Sequence, residues 1–290
     1  MLAIVLKEFK SRMRGWRTPV ILTLYVGLLA NAAYGQAQQM ATLAAYSYGN
    51  NNPAAEGMQI FSTLAGFQLA LLIFLTPALS SGALAGEREH QTFDLLLCTG
   101  LSAPAIVLGK YLATMAFVLL LLWASLPVFS LVLLFGGVAP LSIALVMLLC
   151  FATSLAISAV TVLLSAIFHR VQIVTAVAYG VVFFQTVGLF VFARFAPVFQ
   201  GGASGPAPLA AFVSPITALA SLLSAGNSPY VGFPVLPLPL YFARTVPRLS
   251  QLHLALWEVH ILIDVLIACV ALGLASYLIQ PTRQLRRRRP

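Results

Sequence analysis

GEREHQTFDLLLCTGLSAPAIVLGK runs from Gly86 to Lys110, between two long apolar stretches. Four charged side chains lie close together in its first half: Glu87, Arg88, Glu89 and Asp94. Because charged groups are costly inside a bilayer, this segment must lie in water between two membrane spans. Only 8% of the whole chain is charged. We therefore interpret residues 86–103 as a coupling segment, a docking surface for a soluble partner.

Composition fixes the class of the rest of the chain. Hydrophobic residues make up 60% of its 290 residues, and the mean hydropathy is +0.96. Soluble domains are nearer half apolar and a quarter charged, so the chain is predicted to be an all-α membrane protein. A span needs ~20 apolar residues, and six such stretches are predicted within a transmembrane domain of residues 18–279: 18–35, 59–84, 111–135, 141–168, 172–193 and 254–279. Pro77 and Pro127 predict kinks in spans two and three, and Gly136-Gly137 predicts a tight turn after span three.

The distribution of basic residues predicts the orientation. Thirteen of the 16 Lys and Arg residues flank one side of the spans, in the amino-terminal segment, the loop after span two, the turn after span four and the tail 280–290. Three lie on the other side: Arg194, Arg244 and Arg248. Basic loops stay in the cytoplasm, so a multi-pass protein of the cell (inner) membrane with both termini cytoplasmic is predicted. The net charge of +9 is a topology signal and does not indicate nucleic-acid binding, because the bases flank spans and form no soluble basic face.

The amino-terminal residues 1–17 predict an interfacial amphipathic helix. Leu2, Val5 and Phe9 recur at helical spacing, while Lys7, Glu8 and other charged residues fill the opposite face. Such a helix lies in the lipid boundary with its bases toward anionic head groups. It is either a simple flank that sets topology or a lever that couples to a cytoplasmic partner.

Two stretches are expected on the outer side. Residues 36–58 are rich in Gln, Asn, Ala and Tyr and predict an irregular cap. The extracellular loop 194–253 is rich in Gly and Pro but also carries apolar patches. We expect short helices in it that dip back among the spans. One of them should start at Ser214-Pro215, with Ser as cap and Pro in the first turn.

Span six carries a polar stripe: His253, Trp257, His260 and Asp264. Asp264 lies near the bilayer midplane, where an ionisable group is a functional hypothesis by default. Three interpretations are open. The His residues lie in the outer interface with Asp264 hydrogen-bonded inside the bundle, the stripe lines a substrate path or couples to it, or it forms a metal or hydrolytic site.

Other polar residues lie within the spans. Span four carries small hydroxyl residues at one helical spacing: Ser154, Ser158, Thr161 and Ser165. They favour close helix packing, although a transport path is an alternative. Gln68 in span two and Gln185 in span five need buried partners and are further candidates for a path.

The chain has none of the sequence motifs of an enzyme. Gly109-Lys110 lacks the other residues of a phosphate loop, and there is no HExxH, GxSxG or Cys/His cluster. We therefore expect no catalytic residues, no cofactor and no metal site, and we expect nucleotide to bind elsewhere than on this chain.

The coupling segment predicts a helix–turn–helix elbow. Residues 92–97 suit a short surface helix ended by Gly100. Ser102 then caps the next helix, with Pro104 in its first turn, and that helix enters the bilayer near Lys110. The elbow would present Glu87 to Asp94 outward.

This segment resembles the coupling segment of type-2 ABC exporter permeases. The matching positions are Glu87-Arg88-Glu89, Thr92, Leu95 to Leu97, Thr99, Leu101-Ser102 and Ile106 to Lys110. Gln91 replaces the usual Gly and Gly100 the usual Pro, both at turn positions. The six spans, the long fifth-to-sixth loop and the arginine tail agree with the family.

The resemblance implies the transmembrane subunit of an ATP-driven exporter in a lipid bilayer. Two copies, or this chain with a similar one, would pair with two separate ABC ATPase subunits. The residues implied to couple to the ATPase are Glu87, Arg88, Glu89, Thr92, Phe93 and Asp94. ATPase closure would rock the spans between inward- and outward-facing states. The alternatives are a membrane-embedded enzyme that uses the span-six stripe, and a non-transporting scaffold or sensor bound to an ATPase.

Overall fold

The computed structural model describes residues 8, 10, 13–46, 53–92, 102–192, 212–224 and 255–279. Every regular element in these ranges is helical, which confirms the all-α prediction. The helices are α1 Arg17–Tyr46, α2 Pro53–Ser80, α3 Gly82–Glu89, α4 Ala103–Phe135, α5 Pro140–Ile167, α6 Val171–Phe183, α7 Pro215–Ser224 and α8 Leu256–Leu278. A π-helical segment, Phe184–Gly188, continues α6.

Six helical stretches in the described part of the chain are long and apolar enough to cross a membrane, as the sequence predicted. They are Thr18–Thr42, Ala54–Glu89, Ala103–Phe135, Pro140–Ile167, Val171–Phe192 and Leu256–Leu278. Most of the amino-terminal segment 1–17, most of the loop 194–253 and the tail 280–290 lie outside the described residues, and so do Phe93, Asp94 and His253. The predictions made for them stay predictions.

One boundary was wrong. Residues 36–58 were expected to form an irregular cap, but α1 continues to Tyr46 and α2 already begins at Pro53. Alanine and glutamine in this stretch are good helix formers, and helices that extend past the hydrocarbon keep their own backbone hydrogen bonds. The polar composition signalled exposure to water and was mistaken for irregular structure.

Span two consists of two helices. Pro77 lies inside α2, and the helical pattern is interrupted at Ser81 before α3 begins. The combined stretch Ala54–Glu89 has 36 residues, about 54 Å of helix, which exceeds the ~30 Å hydrocarbon core. Part of this stretch must therefore lie outside the hydrocarbon, and its charged residues Glu87, Arg88 and Glu89 indicate that this part includes the α3 end.

The opposite end of span two is packed backbone against backbone. Gly136 and Gly137 form the turn between α4 and α5, as predicted, and both have positive φ values of 78° and 80°. The start of α2 lies so close to this turn that a Cβ atom added at Gly57 would overlap the Gly136 carbonyl oxygen. One added at Gly137 would overlap the Ala54 carbonyl oxygen. Glycine is required here by both space and backbone conformation.

Helix α5 lies at the centre of the bundle. It packs against α2, α4, α6 and α8, and its small residues allow close approach: Ala152, Ser154, Ala156, Ser158 and Ala159 are all nearly or fully buried. Helix α1 is by contrast mostly exposed at its sides. Apolar side chains such as Leu24 on α1 and Leu262 on α8 face outward, and lipid would solvate them.

The expected re-entrant helix is present. Ser214 precedes α7, Pro215 is its first residue, and the helix packs among α2, α5, α8 and the π-helical segment. The Ser214 hydroxyl donates to the Thr186 carbonyl oxygen at 3.3 Å, within the π-helical segment. Its role as the cap of α7 stays a prediction.

Candidate functional site

A buried lysine joins three segments at the α3 end of the bundle. Lys110 on α4 places Nζ 3.0 Å from Glu8 Oε1 and 2.9 Å from Glu87 Oε1. The lysine side chain is 6% exposed and each glutamate 28%. We call Glu8, Glu87 and Lys110 the charge cluster. Two carboxylates around one ammonium satisfy the lysine while leaving one surplus negative charge at the water boundary.

The chain leaves α3 through a regular helix-ending motif. Thr92 N donates to the Glu87 carbonyl oxygen at 2.9 Å and Gln91 N to that of Arg88 at 3.1 Å. This is the Schellman pattern, which needs a left-handed residue after the cap. Gln91 fills that position with φ of 57°. Gly is usual at this position in the family that the segment resembles. Gln91 therefore replaces Gly at the one position of the turn where the left-handed backbone favours Gly.

The six predicted coupling residues are placed differently from one another. The Glu87 carboxylate turns inward, binding Lys110 through Oε1 and the Thr92 hydroxyl through Oε2, whereas the sequence suggested an outward group. Glu89 is exposed and accepts the Val171 backbone N–H at 2.9 Å, capping the start of α6. Arg88 is half-buried, and Phe93 and Asp94 lie outside the described residues.

A cavity of about 500 Å³ lies beside the charge cluster. Its walls include both glutamates, Lys110 and His90. A cavity of this size with polar walls can hold water, so one side of the cluster borders a space that water can fill.

The second polar group lies in the bundle, where His260 and Asp264 on α8 are both fully buried. His260 Nε2 is 3.1 Å from Asp264 Oδ2, and Nδ1 is 2.9 Å from the Phe212 carbonyl oxygen just before α7. Thr153 Oγ1 on α5 lies 3.5 Å from Nε2. We call His260 and Asp264 the dyad. The predicted placement of His260 at the depth of the outer interface stays a prediction, because burial among helices does not fix a depth in the bilayer.

The contacts of the dyad indicate which nitrogen of His260 carries a hydrogen. A carbonyl oxygen only accepts, so His260 Nδ1 carries a hydrogen. The Thr153 hydroxyl donates to the Leu149 carbonyl oxygen at 3.0 Å, so it can only accept from Nε2. A bare Nε2 facing a carboxylate would set two lone pairs against each other in a buried site. Nε2 and Oδ2 lie 3.1 Å apart, an ion-pair distance, and Oδ2 has no hydrogen-bond partner among the described residues.

This geometry does not suit a hydrolytic site. A nucleophile and an orienting acid must bind opposite nitrogens of the imidazole, but here Thr153 and Asp264 both face Nε2 while a backbone carbonyl occupies Nδ1. Among the described residues, no three His, Cys, Asp or Glu side chains could share a metal ion. The dyad instead ties α8 to α5 and to the re-entrant segment.

Gln68 and Gln185, the other two predicted path residues, lie apart from the dyad. Gln68 is fully buried and donates from Nε2 to Met147 Sδ at 3.0 Å. Gln185 lies in the π-helical segment, and its Nε2 has no hydrogen-bond partner within the described ranges. Gln68 Oε1 and both carboxylate oxygens of Asp264 have no hydrogen-bond partner there either, although Oδ2 lies at ion-pair distance from His260. Of the four predicted path residues, the structure brings only His260 and Asp264 into contact.

The hydroxyl stripe of α5 is not uniform. Ser154 and Thr161 donate to carbonyl oxygens of their own helix, and Ser158 is fully buried with no partner among the residues described. Ser165 alone of the four bonds to the backbone of another helix, at Ser81, Leu84 and Ala85. The sequence did not distinguish Ser165 from its neighbours. It also missed the pairing of Glu8 with Lys110, for which a lone lysine inside an apolar helix was the available signal.

The sequence matches the family model described as ABC-2 family transporter protein, over residues 2–278. No curated protein matches the chain. The family match covers the charge cluster, the dyad and all six candidate spans.

Proposed function

Because the chain belongs to the ABC-2 transporter family, we propose that it is the transmembrane permease subunit of an ATP-driven ABC exporter. It moves its substrate out of the cytoplasm or the inner leaflet by alternating access. ATP is hydrolysed on two separate ABC ATPase subunits. A second copy of this chain, or a similar chain, completes the transmembrane part.

The observation that carries this proposal is the projection of α3. A charged eight-residue helix, Gly82–Glu89, extends a 36-residue span beyond the thickness of a bilayer. It ends in a turn whose residues Glu89, His90 and Gln91 are exposed. An exposed polar turn at the end of a rigid helix is a surface to which a soluble subunit can bind and through which it can displace the helix.

The coupling role is assigned to Glu87, Arg88, Glu89, Thr92, Phe93 and Asp94. Glu87 stabilises the exposed turn by binding the Thr92 hydroxyl on one side and Lys110 of the charge cluster on the other. Glu89 is placed at the surface of this turn. The residues that follow Thr92 complete the docking surface.

The membrane orientation follows from the same proposal. The α3 end of the bundle faces the cytoplasm, and both termini lie there, in the cell (inner) membrane. A cysteine at position 205 should be labelled by an impermeant maleimide in intact cells, and one at position 288 only after permeabilisation. Labelling of position 288 from outside would contradict the orientation.

The substrate path is assigned to the polar residues of the inner spans, Asp264, His260, Gln68 and Gln185. Unpartnered polar atoms at Gln68, Gln185 and Asp264 are costly in a membrane, and a passing substrate could satisfy them. The Asp264 variants described in the Discussion test this role.

The proposal is tested by capture of the ATPase. A photo-crosslinking side chain at the exposed His90 should join the chain, in its own cells, to a subunit that hydrolyses Mg-ATP. The same side chain at Leu134, which is 82% exposed at the opposite end of α4, is the matched control and should give no such adduct. Absence of ATPase activity from the purified complex, or equal adducts at both positions, would contradict the proposed function.

A further inference from the structure

The junction of α2 and α3 is held by a side chain from another helix. The helical pattern is interrupted at Ser81, and Leu84 N, whose helical acceptor would be the Ser80 carbonyl across that interruption, donates to Ser165 Oγ at 3.0 Å. Ala85 N donates to the same oxygen at 2.8 Å. The Ser165 hydroxyl in turn donates to the Ser81 carbonyl oxygen at 2.9 Å. Its one hydrogen and both lone pairs are used.

This contact is built into the interior. Ser165, Leu84 and Ala85 are fully buried, and Ser81 is 3% exposed. A side chain inserted into a helical hydrogen-bond ladder is a common cause of a kink. Pro77 lies one turn earlier and cannot donate a backbone hydrogen bond. Ser81 itself keeps helical backbone angles, φ −59° and ψ −38°, and donates to the Pro77 carbonyl oxygen at 2.9 Å. The hydrogen-bond ladder is altered one turn later, where Ser165 on α5 accepts the N–H groups of Leu84 and Ala85.

The far end of α3 has a second attachment to the same part of the bundle. Glu89 accepts the N–H of Val171, the first residue of α6. Gly86 lies between the two attachments, and a Cβ there would meet Val171 Cγ2 at 4.0 Å, an ordinary contact. Helix α3 thus lies along the α5–α6 junction and is bonded to it at both ends.

We propose that α3 and the α5–α6 junction move as one body, with Ser81 as the hinge to α2. Ser165 and Glu89 are the positioning residues that make the attachment. Movement of the coupling segment then enters the bundle through spans four and five, because packed elements shift as units and do not deform continuously. That an ATPase drives this movement rests on the proposed function. The attachment of α3 to the α5–α6 junction is a property of this chain alone.

Distances between spin labels test the attachment without any ATPase. One pair joins His90 to Val181 on α6, and a second pair joins His90 to Ala70 on α2; all three positions are exposed. The labels are placed in a chain with Cys98 and Cys269 replaced by Ala, in nanodiscs. Ser165→Ala should roughly double the width of the His90–Val181 distance distribution, since the local structure loses its buried hydrogen bonds.

Ser158→Ala is the matched control. Both serines lie on α5 and both are fully buried, but Ser158 Oγ has no partner in the described part of the chain. Ser158→Ala should leave the width unchanged. Should Ser165→Ala fail to fold, Glu89→Ala removes the exposed attachment without disturbing the interior and should also broaden the distribution, while Glu89→Gln, which keeps an acceptor oxygen, should not. A distribution as narrow as the wild type in both Ser165→Ala and Glu89→Ala would overturn the attachment.

The same labels in the complex with its ATPase test the movement. Between the nucleotide-free and ATP-trapped states, the His90–Val181 distance should stay constant and the His90–Ala70 distance should shift. A larger shift in the His90–Val181 pair would overturn the proposal that these elements move together. If no ATPase binds the unlabelled chain, the proposed function fails, and the nanodisc measurement still decides whether the attachment exists.

Discussion

The two ends of span two are held in opposite ways. At the α2 start, backbone lies against backbone, with Gly57 beneath the Gly136 carbonyl and Gly137 beneath that of Ala54. At the α3 end, side chains hold the helix through the charge cluster, Ser165 and Glu89. Backbone contact leaves no room for a shift at the first end, whereas the attachments at the α3 end depend on individual side chains that a single substitution can remove. The fold therefore has its fixed point at one end of the span and its side-chain attachments at the other.

The dyad belongs to neither end. It is fully buried and contacts two other elements, α5 and the segment just before α7, while the charge cluster borders a polar cavity. Removing one residue of the dyad leaves the polar group of the other buried without a partner. Loss of one partner in the cluster is partly compensated by water. The following substitutions test these differences, from the largest expected effect to the smallest.

Lys110→Glu should have the largest effect. It replaces the ammonium between Glu8 and Glu87 by a third carboxylate, and breaking a buried ion pair costs about 3–5 kcal/mol. We expect a severe loss of folded protein, measured as monodisperse yield and melting temperature in detergent. The exchange Glu87→Lys with Lys110→Glu restores opposite charges and should recover much of the loss. Wild-type stability of the single variant would show that the cluster does not hold this end.

Gly57→Ala should come next. Its Cβ would overlap the Gly136 carbonyl oxygen, and overpacking typically costs about 1–3 kcal/mol. Gly35→Ala is the matched control, because a Cβ at Gly35 on α1 meets nothing within 4 Å and Ala is the better helix former. The melting temperature should fall for the first and hold or rise for the second. Equal effects would mean that the backbone contact is not a fixed point.

Asp264→Leu should cost about 1–3 kcal/mol, because it leaves His260 without its partner in a buried site. Asp264→Asn should cost less, because an amide N–H can donate to a neutral Nε2. Melting curves measure this structural part. Transport per folded complex in vesicles measures the other part: normal specific transport with Leu at 264 would exclude a role in the substrate path.

Gln91→Gly should have the smallest effect and the opposite sign. Gln91 is exposed and has φ of 57°, a conformation that costs a non-glycine residue about 1 kcal/mol. The greater freedom of glycine in the unfolded chain offsets part of the gain, so stability should rise by about 0.5 kcal/mol. Gln91→Ala should not raise it. A lower melting temperature for Gln91→Gly would show that the Gln91 side chain makes a contact that matters.

Much of the fold could be predicted because the solvent is lipid. Spans four, five and six were placed within about two residues, since a run of ~20 apolar residues has few other stable states. The Gly136-Gly137 turn and the α7 start at Ser214-Pro215 followed from local backbone chemistry. The polar ends of α1 and α2 were missed because polar composition alone does not distinguish a hydrated helix from a loop.

The sequence by itself determined that this chain is a six-span membrane protein with a charged segment after span two, because hydrophobic length and charge are summed along the chain. Only the tertiary structure decided which polar groups meet. Glu87 and Lys110 are 23 residues apart, Ser165 and Ala85 are 80 apart, and His260 and Phe212 are 48 apart. Helical spacing predicts which side chains share a face of one helix, but not which face meets which neighbour. That choice is made by close packing of small residues around α5, and it sets the charge cluster, the Ser165 attachment and the dyad in place.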